Sequence, residues 1–201
     1  LTGAISAAPG SPAIRLNGLI TDFPIRDIAR YWPQGVGSHA RTWVVNHIDD
    51  GRLVRAVIVA DAPAGAFAKE PVNPNILKID IHVENGQLSY VNGMPPITGA
   101  VADMTITPAT FELKGGHAAR PGTQISNASV YIAQLGVKNA LVKIDANAKG
   151  RLEDMLGVLD HPPLGLVTRY GLKPDDIRGD GAVQVALEIP QQSDDDNLGF
   201  A

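Results

Sequence analysis

Leu77-Lys78-Ile79-Asp80-Ile81-His82-Val83-Glu84 alternates apolar and polar residues without a break. A period of two places Leu77, Ile79, Ile81 and Val83 on one side of an extended chain and the polar residues on the other. Such a strand has one greasy face and one wet face, a condition common in antiparallel sheets. Asn85-Gly86 follows. Both residues tolerate positive φ, so the sequence predicts a hairpin there. Leu88 and Tyr90 then resume the alternation, and Asn92-Gly93 with Pro95-Pro96 close the second strand.

The same period recurs on both sides. Ile14, Leu16 and Ile20 alternate, and Leu53, Val57 and Val59 follow Gly51. Residues 97–107 and 110–114 read as a hairpin around Pro108-Ala109. Ala128, Val130 and Ile132 repeat the pattern, as do Val142, Ile144 and Ala146, and then Val183, Val185, Leu187 and Ile189. The expectation is a meander of about eight to ten strands joined mainly by short turns.

Three helical stretches interrupt it. Ile25, Ile28, Ala29 and Trp32 share a helical face between Pro24 and Pro33. Ala40, Trp43, Val44 and Ile48 share another, with Ser38 as N-cap and Gly51 just past the end. Leu152, Met155, Leu156 and Leu159 form a third stripe, stopped by Pro162-Pro163. The fold class is mainly β with a few short helices, an α+β chain built on one long antiparallel sheet. Residues 12–60 and 140–190 each read strand, Gly, amphipathic helix, Pro, a weak sign of repeated units.

Composition narrows the function. Hydrophobic residues make up 44% and charged residues 19%, enough to order a chain. The net charge of −4 and the lack of a basic stripe argue against nucleic acid as partner. No cysteine is present, which excludes disulfides, thiolate metal sites and thiol catalysis. The acidic run Asp194-Asp195-Asp196 reads as a solvated loop. The chain begins at Leu1 with no visible signal peptide, and no run nears the roughly 18 apolar residues of a membrane span. Any anchor is expected outside it.

Catalytic patterns are missing from the sequence. His39 and His47 are too far apart for a helical metal pair, and His82 falls on the polar side of its strand. No G-x-S-x-G elbow or phosphate-binding glycine loop occurs. Gly115-Gly116-His117 reads as a flexible turn between strands. Asp49-Asp50 reads as a turn before Gly51, and Asp175-Asp176 as a loop after Pro174. Glu153-Asp154 suits the first turn of a helix. A pair of carboxylates for glycoside hydrolysis lacks the aromatic platforms of a sugar cleft. The expectation is a protein without enzymatic activity, cofactor or metal.

Several segments together resemble a known family. Tyr31-Trp32-Pro33, then Ala40-Arg41-Thr42-Trp43, then Ile48-Asp49-Asp50-Gly51-Arg52-Leu53 are similar to a signature of the AsmA-like superfamily, in its YhdP-type region. Residues 86–97, with Tyr90, Gly93, Pro95, Pro96 and Ile97, resemble that region's Pro-Pro hairpin. Ala148-Lys149-Gly150, Leu156, Pro162-Pro163-Leu164 and Gly179-Asp180-Gly181 match a later stretch. The resemblance covers roughly Leu16 to Pro190. It implies a piece of a large periplasmic protein anchored in the bacterial inner membrane, akin to TamB. It also implies a curled, groove-like sheet that carries phospholipid toward the outer membrane.

On that reading, residues 1–201 are a single segment of an elongated β-groove protein. Leu77, Ile79, Ile81, Val83, Val130, Ile132, Val142, Ile144, Val183, Val185 and Leu187 are the candidates for the groove wall. Their pattern alone reads first as the core of a closed sandwich; the resemblance turns it toward an open face. Trp32, Pro33, Trp43, Gly51, Pro95, Pro96 and Pro163 are expected to be structural anchors. The expected partners are phospholipid acyl chains, adjoining segments of the same protein, and other envelope proteins. The alternative is a scaffolding β module of the envelope that binds proteins through its strand edges.

Overall fold

A computed structural model describes residues 2–6, 12–32, 38–68, 72–89, 94–135, 137, 140–161 and 165–190. Nine strands form one antiparallel sheet in sequence order: β1 (Thr2–Ser6), β2 (Ala13–Pro24), β3 (Ile48–Ala62), β4 (Leu77–Leu88), β5 (Ile97–Ile106), β6 (Phe111–Arg120), β7 (Thr123–Ile132), β8 (Leu141–Arg151) and β9 (Asp180–Pro190). Each strand pairs with the next, and β1 and β9 do not meet, so the sheet is open. The expected hairpin around Pro108-Ala109 is present. Thr107 closes it by accepting on Oγ1 from the N–H of Ala109 (3.2 Å) and of Thr110 (2.9 Å).

Two connections carry helices. Between β2 and β3 lie a 3-10 turn (Ile25–Asp27), α1 (Ile28–Tyr31) and α2 (Ser38–His47). Between β8 and β9 lie α3 (Leu152–Asp160), α4 (Leu166–Arg169) and a 3-10 turn (Pro174–Asp176). In an antiparallel meander alternate connections share an end, so both helical insertions sit at the same end of the sheet. At about 1.5 Å per residue α2 and α3 are each about 15 Å long, whereas nine strands about 4.8 Å apart span almost 40 Å. The helices therefore cap the sheet and cannot cover it.

Several sequence expectations are corrected. Asn85-Gly86 makes no hairpin: β4 runs straight through it to Leu88. Asn85 has φ 53°, and Val83 to Gly86 on β4 spans the same length as Ala102 to Ala100 on β5. It is a β-bulge, one extra residue on one strand. Gly115-Gly116-His117 is likewise no turn but part of β6, with Gly115 at φ 65° in a bulge against β7. Gly99 on β5 (φ 60°) and Asn127 on β7 (φ 51°) mark further register shifts. Four neighbouring strands thus each carry one left-handed Gly or Asn. Bulges bend a strand and increase its twist, which accounts for a sheet that curls.

Ile48 begins β3 and is not on a helix, and Gly51 lies inside that strand and does not follow a helix end. Asp49-Asp50 is strand too, with Ser89 Oγ donating to Asp49 Oδ2 at 2.5 Å. Asp175-Asp176 belongs to a 3-10 turn. Val57 and Val59 lie on the opposite face from Leu53, because the β3–β4 register shifts between Leu53 and Arg55. Tyr90, Asn92-Gly93, Pro33, Pro162-Pro163, Asp194-Asp195-Asp196 and the side chains of Ser38 and His39 lie outside the described residues.

The tightest packing is at the helix-bearing end. Ile25 (5% exposed) inserts from the 3-10 turn against Leu53, Ala56 and Val83, with Phe23, Ile48 and Met104 around them. On the other side of that end, Leu152 and Met155 of α3 lie over Gly181 of β9. A Cβ there would come within 2.5 Å of Leu152 Cδ2.

Candidate functional site

The cross-strand register assembles one apolar face. Directly paired residues of adjacent strands point to the same side. Ile20, Ala56, Ile81, Met104, Leu113, Val130, Ile144 and Leu187 are paired in turn from β2 to β9, one unbroken row across eight strands. A second row runs beside it through Ile58, Ile79, Ile106, Phe111, Ile132 and Val142. Leu77 and Val83 on β4, and Val183 and Val185 on β9, lie on this same side. All eleven candidates from the sequence therefore share a face.

Among the residues of these rows that are not sequence candidates, four lie on β5 and β6: Met104, Ile106, Phe111 and Leu113. Their signal is present, since Ala102-x-Met104-x-Ile106 and Phe111-x-Leu113 keep the period of two. They fill the middle of the sheet and join the two halves of the candidate set.

This face is only partly shielded. Val83 and Val142 are buried, but Ile79, Ile81, Met104, Leu113, Val130 and Ile144 are half-buried. Leu187 and Val183 are 40% and 41% exposed. Among the described residues no large side chain is completely sealed. The helical connectors pack chiefly on β3 and β8. Among the described residues no second layer covers the rows between them, which are sheltered by one another.

The structural anchors are placed as follows. Trp32 caps α1, its N–H donating to Ile28 O at 2.9 Å. Trp43 is 40% exposed and stacks on His47 of its own helix, with ring centroids 4.9 Å apart. Gly51 meets Gly86 across β3 and β4. Pro95 and Pro96 lead into β5.

The opposite face is a lattice of charged pairs. Lys78 Nζ reaches Asp80 at 2.7 Å, and Thr105 Oγ1 donates to Asp80 at 2.7 Å. His82 Nδ1 meets Asp103 at 2.8 Å. Lys114 pairs with Glu112 at 2.7 Å, and Lys143 with Glu188 at 2.8 Å. The Lys78 hydrogen bond, then that of Thr105, holds the Asp80 carboxyl below its usual range. The Asp103 hydrogen bond raises the His82 imidazole above its ordinary value. Such exposed pairs each add little stability. They do keep this face wet, which leaves the other as the continuous apolar surface of the sheet.

No group of three or more His, Cys, Asp or Glu among the described residues could hold a metal ion. None of the described helices is long and apolar enough to cross a membrane. A family model described as YhdP protein matches residues 2–199. No curated protein matches, and no solved structure matches.

Proposed function

Because this chain belongs to the YhdP family, a bacterial envelope type, we propose that its apolar sheet face carries phospholipid acyl chains between the inner and outer membranes. The observation that carries this reading is the row from Ile20 to Leu187, unbroken over eight strands and half open. Placing an acyl chain on such a surface is favourable by about 0.8 kcal/mol per CH₂ removed from water. A chain sliding along uniform aliphatic side chains meets no polar group that it must release. No reaction is involved, and neither cofactor nor metal.

Among the described residues no strand pairs with the outer edges of β1 and β9, which fits continuation of the sheet into adjoining segments of a longer periplasmic protein. Those same edges are what favours the second reading, a scaffold that binds envelope proteins by strand addition. Two measurements separate them. Mass spectrometry of the gently purified protein is expected to find copurified phospholipid. Photo-reactive residues at Ile79 and Ile144 are expected to form lipid adducts, and ones at Lys78 and Lys143, on the opposite face, are not. Absence of both lipid and adducts supports the scaffold.

A further inference from the structure

At the helix-bearing end the apolar face finishes in a cation and a hydroxyl. Beyond the Gly115 bulge, Gly116, Ala118 and Arg120 alternate onto the side that Leu113 faces. Arg120 pairs with Thr123, and Thr123 with Gly150. Arg120 Nε and Nη1 are buried, with no hydrogen-bond partner among the described residues. Thr123 is 6% exposed, and its Oγ1 is buried and equally unpartnered.

Buried donors without acceptors are rare, because each has given up its water for nothing. A guanidinium stays protonated, so only an acceptor can satisfy it, and an anion does so best. Neither neighbouring carboxylate pairs with Arg120. Glu153 Oε1 is held by Arg151 and by Arg178 while its Oε2 is buried without a hydrogen-bond partner among the described residues, and Asp154 sits over Gly122 with Arg151 Nε at 3.7 Å. An open cavity of about 430 Å³ at this end of the sheet has Arg120 and Thr123 in its lining, together with Ala119, Gln124 and Lys149, whose register puts them on the opposite face.

We propose that Arg120 and Thr123 bind the phosphate of a phospholipid whose acyl chains lie on the adjoining apolar rows. The assignment rests on the lipid-carrying reading above and adds a headgroup site to it. A phosphate diester offers the guanidinium two oxygens and the threonine hydroxyl an acceptor. The site would fix a lipid's orientation at the end of the sheet, with its head at the helices and its tails along the strands.

Calorimetric titration of the full chain with three probes tests this: dihexanoyl phosphatidylglycerol, dihexanoylglycerol and inorganic phosphate. The expected result is tighter binding of the phospholipid than of dihexanoylglycerol. Arg120→Gln is expected to weaken the phospholipid about tenfold or more, the factor lost with one charged hydrogen bond, and to leave dihexanoylglycerol unchanged. Thr123→Val, nearly the same shape, is expected to act in the same direction with the circular dichroism of the wild type. Equal binding of both lipids in wild type and variants overturns the headgroup site while the apolar face stands. Binding of neither lipid overturns the lipid reading together with the site. Inorganic phosphate binding as tightly as the phospholipid, with the same Arg120 dependence, overturns the headgroup assignment in favour of a free-anion site.

Discussion

A Cβ placed on Gly51 would lie 3.0 Å from the Cα of Gly86 on the neighbouring strand, and 3.1 Å from Cδ1 of Ile25. The two glycines let β3 and β4 approach where Ile25 plugs the end of the sheet. Gly51 also has φ +145°, a conformation that residues with a side chain seldom adopt. Gly51→Ala therefore strains the backbone and crowds the plug together. The expected loss is about 2 kcal/mol, read from the urea midpoint. An unchanged midpoint would mean that the plug moves aside at no cost.

The bulges predict a different pattern of tolerance. Gly115 has φ 65°, and a Cβ added there would meet nothing within 4 Å, so its requirement is conformational and not steric. Asn adopts the left-handed region readily, whereas a β-branched residue does not. Gly115→Asn is expected to cost less than about 0.5 kcal/mol and Gly115→Val about 1–2 kcal/mol. Equal costs in thermal or urea unfolding would show that β6 straightens without its bulge.

The strands are legible in the sequence because Ile79 and Ile81, or Val130 and Ile132, obey a local rule of period two. The bulges are not, because Asn85-Gly86 and Gly115-Gly116 announce positive φ without saying what uses it. A hairpin and a bulge ask for the same residues, and only the partner strand's register separates them. Alternation groups Val57 and Val59 with Leu53, and one irregularity between Leu53 and Arg55 sends them to the other face. Arg120 and Thr123 are beyond reach for the same reason. Their burial depends on how β6 meets β7 and on α3 folding over the end of β8.

His82 supplies a pH test on the wet face. Asp103 raises its pKa above the ordinary 6.5, chiefly through their hydrogen bond. A raised folded value means that the folded state binds the proton more tightly than the unfolded chain. The contribution is then fully present below the unfolded pKa and is lost as pH rises through the folded one. Asp103→Asn is expected to lower the His82 pKa in a proton-detected NMR titration and to flatten the stability profile from about pH 6 upward. An unshifted titration in the variant would leave Glu84, 3.5 Å from Nε2, as the controlling group.

Ile144 decides between an open face and a sealed core. It sits between Val130 and Leu187 in the long row and is half-buried. On an open face an arginine can lay its aliphatic stem along the neighbours and keep its head in water. Ile144→Arg should then destabilise the fold by only about 1–2 kcal/mol. It should nevertheless break the row, because an acyl chain crossing that point must displace water from a charge. Lipid adducts from a photo-reactive residue at Ile79 are expected to fall several-fold, while Lys143→Arg on the opposite face leaves them unchanged. A variant that loses its secondary structure outright would place Ile144 in a closed interior, and the lipid-carrying role would go with it.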